Sequence, residues 1–195
     1  EKSISQISER VGRKEPVYLM PILESAKGIL NAYEIASASN NNVALAIGLE
    51  DYTADIGTTR SLEGTESFFA RSMIVNAARA CGLQPIDTVF SDVSDTDGLI
   101  ASVKEAKALG FDGKGCIHPR QIKPLHDAFA PSETEISKAQ KIVIAFDDAE
   151  SKGLGVVSLG SKMIDPPVVK RALHTIEMAI SIGLLSANWK NKLTE

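Results

Sequence analysis

Residues 43–90, VALAIGLEDYTADIGTTRSLEGTESFFARSMIVNAARACGLQPIDTVF, decide the fold. They open on an apolar run, 43–48 (VALAIG), continue into a helical pattern over 62–80 that stops at Gly82, and close on a second apolar run, 85–90 (PIDTVF). Within the helical pattern Phe68, Phe69, Met73, Ile74 and Ala77 recur at helical spacing, which predicts that these side chains pack in the core, the Phe68/Phe69 pair included. Strand, helix and strand with no hairpin signal between them form a βα unit, and such units build parallel sheets.

The alternation extends in both directions. Upstream, 3–12 reads as a short helix stopped at Gly12, 17–24 (VYLMPILE) as a buried strand and 26–39 as helical, with Asn40, Asn41 and Asn42 breaking the chain before residue 43. Downstream, a helix over 98–109 stops at Gly110, and a short fourth run, 115–117, ends at His118 and Pro119. Apolar runs without polar alternation predict an α/β fold whose parallel sheet is covered on both faces. A doubly wound sheet and a (β/α)-barrel both fit. No Gly-x-Gly-x-x-Gly follows the first strand, which weighs against dinucleotide binding. Beyond residue 128 the pattern changes. Ser132 with Glu135 three residues on makes a capping box for a helix running to about 152, and 156–159 with 163–164 reads as a small hairpin around Gly160. Asp165, Pro166 and Pro167 open a last helix, and 187–195 is expected to fray.

Composition narrows the function classes. The 195 residues are 44% hydrophobic and 24% charged, an ordinary globular balance. A net charge of -4, with Lys and Arg scattered and only 5% aromatic residues, argues against nucleic acid as a partner. No apolar run approaches a membrane span and no secretory signal is visible, so no membrane partner is expected. Two cysteines, Cys81 and Cys116, are too few for a disulfide framework or a zinc cage and point to a reducing, cytoplasmic setting.

In parallel α/β folds the reactive groups collect at the carboxyl ends of the strands. Those ends carry Glu24, Glu50 with Asp51, Asp87 with Asp92, and His118. Helix capping explains Asp92 and Asp95 well and stands level with a functional role for Asp87, but glutamate caps poorly and Glu24 directly follows a buried run. Carboxylates on neighbouring strand ends repel unless a cation lies between them, and an all-oxygen pair favours Mg²⁺ or Mn²⁺ over zinc. Glu24 and Asp51 suffice for such a site. His126 and His174 fall on helices and read as surface or packing residues, while His118, at a strand end, either hydrogen-bonds or simply caps its turn. No nucleophile motif and no P-loop lysine is present.

Five stretches together, MPILESAKGILNAYEIA, GLEDYTADIGTTR, IDTVFSDVSDTDG, LGFDGKGCIHPRQI and GLGVVSLGSKMIDPPVVKRA, resemble successive motifs of the citrate lyase β subunit, within the metal-dependent HpcH/HpaI aldolase superfamily that includes malyl-CoA lyase. The resemblance spans about residues 16–183 in the family's order. It implies a TIM (β/α)8 barrel of which 1–130 is the second half, about four strands, and 131–195 is a helical and hairpin extension acting as a lid on a neighbouring subunit. It implies Glu24 and Asp51 as Mg²⁺ ligands, Glu50 and Asp51 as the backbone that holds a keto-acid carboxylate, and Asp165 as the catalytic group presented to a neighbouring subunit. Asp55 is a weaker candidate, with a cap or loop hydrogen bond as its alternative, and Arg60 a weaker one still, towards substrate or carrier phosphates. The family's substrate-gripping arginine has no counterpart here, and half a barrel would leave two open sheet edges. The activity implied is cleavage of a citryl thioester, on coenzyme A or an acyl carrier protein, to oxaloacetate and an acetyl thioester. A homo-oligomer, a trimer in the family, and other citrate lyase subunits are the implied partners. A malyl-CoA or citramalyl-CoA lyase, and a non-enzymatic barrel fragment or binding module, stand as alternatives.

Overall fold

The computed structural model describes residues 2–160 and 162–191. The chain divides into two compact units, Glu1–Phe129 and Ala130–Glu195. The first unit runs α1 (Lys2–Val11), β1 (Ile22–Leu23), α2 (Ala26–Leu30), α3 (Ala32–Ser37), β2 (Ala44–Ile47), α4 (Leu49–Asp55), α5 (Phe68–Ala80), β3 (Gln84–Asp87), α6 (Thr96–Leu109), β4 (Gly113–Lys114), a 3-10 turn (Pro119–Gln121) and α7 (Ile122–Phe129). The four strands pair in parallel in the order β1-β2-β3-β4, with Leu23 beside Ile47 and Ala46 beside Ile86. Sequential strands lie side by side, each joined to the next through helix.

Leu23, Leu45 and Ile47 pack against Ile29, Ala32 and Ala36 below and against Ala70, Ile74, Ala77 and Ala78 of α5. The alanines let the helices approach the sheet closely. The opposite face departs from expectation. Tyr18, Met20 and Ile22, at every second position leading into β1, are each at least half exposed, so the second face is apolar and open at the β1 edge, whereas β2 is buried on both faces. The run 17–24 therefore obeys strand alternation after all, between two faces that are both apolar.

Two boundaries moved, and one pair of side chains lies elsewhere than expected. Helix α5 starts at Phe68 rather than at 62, because Gly64 turns through the left-handed region (φ +64) and the Glu66 carboxylate accepts from both the N–H and the hydroxyl of Ser61. Phe68 and Phe69 are both 58% exposed, not core, while Ile74 and Ala77 are buried as expected. The fourth strand is Gly113–Lys114, just before the expected run, and Ile117 is exposed.

The second unit contains α8 (Glu133–Ser151), the antiparallel pair β5 (Val157–Leu159) and β6 (Lys162–Ile164), and α9 (Pro166–Ser181). Ser132 and Glu135 form the capping box that the sequence predicts. Its core joins Ile142 and Val143 of α8 to Val169, Ala172 and Ile176 of α9. Trp189 belongs to this core at 6% exposure, so 187–191 is anchored rather than frayed, and 192–195 lie outside the described residues. Among the described residues no helix is long and apolar enough to cross a membrane.

Candidate functional site

The carboxyl ends of β1 and β2 define the site. Glu24 directly follows β1. β2 is buried along its whole length and passes at Gly48 straight into α4, which places Glu50 and Asp51 in the first helical turn, where negative charge is favourable. Glu24, Glu50 and Asp51 line one cavity of about 230 Å³ above the strand ends. Glu24 and Asp51 are exposed to it, and neither carboxylate has a hydrogen bond or ion pair within the described residues. Gly48 leaves room for Glu24: an ideal Cβ there would lie 2.6 Å from Glu24 Cγ.

α4 is held at both ends. The Leu49 N–H donates to the buried hydroxyl of Thr88, just past β3, at 3.3 Å. At the other end Asp55 Oδ2 accepts from the Ala26 N–H at 2.7 Å, tying α4 to the start of α2. The N–H groups of Glu50 and Asp51 have no acceptor among the described residues, so two donors at the head of α4 are open to an anionic oxygen. The Glu50 side chain is engaged elsewhere. Arg60 Nη1 donates to Glu50 Oε1 and Nη2 to the Val89 carbonyl, both at 2.8 Å.

A second cavity of about 410 Å³ adjoins the same strand ends and shares Glu50 and Thr88 with the first. Beneath it lies an ion cluster that sequence reasoning missed. Asp87 is no helix cap. Its fully buried carboxylate accepts from Arg71 Nε and Nη2, each at 3.0 Å, and from Lys114 Nζ at 2.9 Å. Arg71 also pairs with Glu105 at 2.5 Å. Burial opposes the charge on Arg71, but Asp87 and Glu105 outweigh it and hold the guanidinium above its ordinary value. Burial dominates at Lys114 and pushes its ammonium down, with Asp87 offsetting part of the effect. The only signal for this cluster was the adjacency of β3 and β4, since partners 16 and 27 residues away in sequence are invisible to local patterns.

The remaining acids act on the backbone. Asp95 caps α6 through the Gly98 N–H at 2.8 Å, and Asp92 Oδ1 accepts from the N–H and hydroxyl of Ser94. The Ser94 hydroxyl, then its N–H, holds Asp92 below the usual carboxylate range. Asp165, in the second unit, is the N-cap of α9, and its Oδ1 accepts from the Val168 N–H at 3.2 Å. His118 caps its turn, with Nδ1 accepting from the Arg120 N–H at 3.1 Å.

Two unpaired carboxylates facing one cavity, with a glycine making room for the first, are a hard, all-oxygen donor set. They fit Mg²⁺, which takes one or two protein carboxylates and fills its shell with water and substrate oxygens. Among the described residues no group of three or more His, Cys, Asp or Glu side chains could hold a metal, as a zinc cage would require.

The chain is 45% identical over 186 residues to the citrate lyase subunit beta of Escherichia coli K12, an alignment covering 94% of this chain and 61% of that protein. It is 37% identical to human mitochondrial citramalyl-CoA lyase, over 88% of this chain and 53% of that one. Among solved structures it resembles the CitE protein of Mycobacterium tuberculosis in complex with magnesium, acetoacetate and coenzyme A, with a TM-score of 0.74, 27% identity, and coverage of 90% of this chain and 73% of that chain. The chain thus spans about three fifths of the length of the bacterial citrate lyase subunit it matches. The HpcH/HpaI aldolase/citrate lyase family model matches residues 1–119, and the chain, an α/β protein with a parallel sheet, belongs to that family.

Proposed function

We propose that the chain is the metal-site half of a Mg²⁺-dependent carbon–carbon lyase that cleaves a citryl thioester to oxaloacetate and an acetyl thioester. The observation that carries this is the pair Glu24 and Asp51: two unpartnered carboxylates on adjacent parallel strand ends, lining one cavity. Both would hold Mg²⁺. When bound, the ion supplies Lewis-acid stabilisation to the oxygens that become alkoxide and keto acid during cleavage. The open N–H groups of Glu50 and Asp51 orient the carboxylate beside the reacting carbon. The substrate hydroxyl gives up its proton to water, the bond from the carbinol carbon to the thioester methylene breaks, and its electron pair passes into the thioester enolate. Protonation at carbon then completes the acetyl group. Asp165 is the acid for that step, reaching the site from a second copy of the chain. A citrate lyase assembly would add further subunits, and the cytoplasm suits two free thiols.

The same reading makes β1 to β4 half of an eight-stranded barrel, with 131–195 as the lid. Its support is the sequential parallel order, the apolar face exposing Met20 and Ile22, and the greater length of the relatives. The test is oxaloacetate release from citryl-CoA and from carrier-bound citryl thioester, with Mg²⁺ and with EDTA, in the wild type and in Glu24→Ala plus Asp51→Ala. Loss with EDTA and in the double variant is expected, and full activity in either would sink the metal role. A citramalyl-CoA arm decides the alternative that the 37% identity to citramalyl-CoA lyase favours.

A further inference from the structure

The two carboxylates of the proposed metal site belong to different segments: Glu24 to the loop leaving β1, Asp51 to α4. Pairing of β1 with β2 sets the strands' register but ends at Leu23 and Ile47, before either carboxylate. One side-chain bond joins the two segments beyond the strands. Asp55 lies one turn after Asp51 on α4, and its Oδ2 accepts from the N–H of Ala26, two residues after Glu24, at 2.7 Å.

The rest of the loop is fixed on its own side. Ser25 caps α2, its hydroxyl oxygen accepting from the Gly28 N–H at 3.1 Å while its carbonyl accepts from the Ile29 N–H. That leaves the Ala26 N–H as the donor in this turn that reaches out to another segment. Across the helix, the Leu49 N–H donates to the Thr88 hydroxyl, which ties the start of α4 to the residue after β3. The helix is pinned to β3 at one end and to the Glu24 loop at the other, with Asp51 between.

We propose that Asp55 is a positioning residue whose carboxylate, through the Ala26 N–H, sets the spacing of Glu24 and Asp51 for a divalent cation. The proposal rests on the metal reading above and deepens it. Asp55 acts as an acceptor in this role, without touching the cation. An asparagine, which keeps a side-chain oxygen, does the same work, and an alanine does not.

Binding of Mg²⁺ to the full chain by calorimetry, and of Mn²⁺ by electron paramagnetic resonance, tests it without any assay of turnover. Outer-shell partners of metal ligands are worth about 10–100-fold in affinity, so Asp55→Ala is expected to weaken both ions at least about tenfold. Asp55→Asn is expected to stay within about threefold of wild type, since an Asn oxygen replaces the Asp oxygen in the same bond. Thermal midpoints are measured beside each, and the asparagine variant keeps the test valid if the alanine variant folds poorly. An Asp55→Asn chain that binds as weakly as Asp55→Ala shows that charge or direct ligation matters, and overturns positioning. An Asp55→Ala chain that binds like wild type overturns this proposal alone. A wild-type chain that binds neither ion removes the metal reading first, and this proposal with it.

Discussion

The Glu24 side chain occupies the space above Gly48 that a β-carbon would fill: an ideal Cβ at Gly48 would stand 2.6 Å from Glu24 Cγ and 2.8 Å from its Cδ. Contacts that short require movement, and the group that can move is the exposed glutamate arm rather than β2, which is buried throughout. Gly48 has an extended backbone (φ -107, ψ 104) that any residue adopts, so the reason for glycine here is space and not conformation.

Gly48→Ala therefore separates site from fold. The displaced Glu24 should lower Mg²⁺ affinity by about tenfold or more, the scale of a mis-set ligand shell. Stability should change by less than about 1 kcal/mol, because the clash is relieved in solvent. Calorimetric titration and urea unfolding of the same sample check the two halves. Unchanged affinity would mean that Glu24 works equally well from another rotamer.

Asp87 is expected to behave in the opposite way, as a residue of the fold. Its carboxylate is the shared acceptor for Arg71 and Lys114, whose side chains are 4% and 1% exposed. Asp87→Ala leaves both cations buried without that acceptor, and breaking a buried pair in this way costs about 3–5 kcal/mol. Glu105, whose side chain is 43% exposed, also pairs with Arg71, but Glu105→Ala should cost less than about 1 kcal/mol. Chemical denaturation of the two variants should rank them in that order, and equal costs would show that Asp87 is not the hub.

Asp92 gives a pH prediction of defined sign. Its folded pKa lies below the ordinary 3.8, with the Ser94 hydroxyl as the largest cause and the Ser94 N–H next. A depressed carboxylate pKa contributes stability above the unfolded value, and that contribution is lost as pH falls from about 3.8 through the folded pKa. An NMR titration of the Asp92 side chain should show a midpoint under 3.8, and Ser94→Ala should move it upward. A midpoint that does not respond to Ser94→Ala would assign the shift to another group.

What the sequence made legible follows from the range of each interaction. Local chemistry read well: the Ser132 and Glu135 capping box, the turn at Gly160 and the Asp95 cap all involve neighbours within a few residues. The succession of four parallel strands was also readable, because strand and helix alternate with different apolar periods, while their side-by-side order is fixed by pairing between distant segments. Phe68 and Phe69 misled, since helical spacing fixes a face but not what lies opposite it, and both are exposed. At the site, Glu24 and Asp51 could be chosen because strand ends are local landmarks. Arg71 and Lys114 could not, because only the packing of α5 and β4 against β3 brings them to Asp87. Thr88 was missed for the same reason: its hydroxyl meets Leu49 from 39 residues away.

Asp165 carries two roles that one substitution can divide. As the N-cap of α9 it accepts from the Val168 N–H through Oδ1, a task for which asparagine is as good as aspartate. As the proposed acid it must carry a proton to carbon, which an amide cannot do. Asp165→Asn should therefore keep the unfolding free energy within about 0.5 kcal/mol, while Asp165→Ala loses about 1 kcal/mol with the cap. Oxaloacetate release should fall to a similar low level in both, by about 10²–10⁴-fold if general acid catalysis is lost. Release that tracks stability instead, near wild type in Asp165→Asn and reduced in Asp165→Ala, would make the aspartate a helix cap alone and leave the enolate proton to another donor.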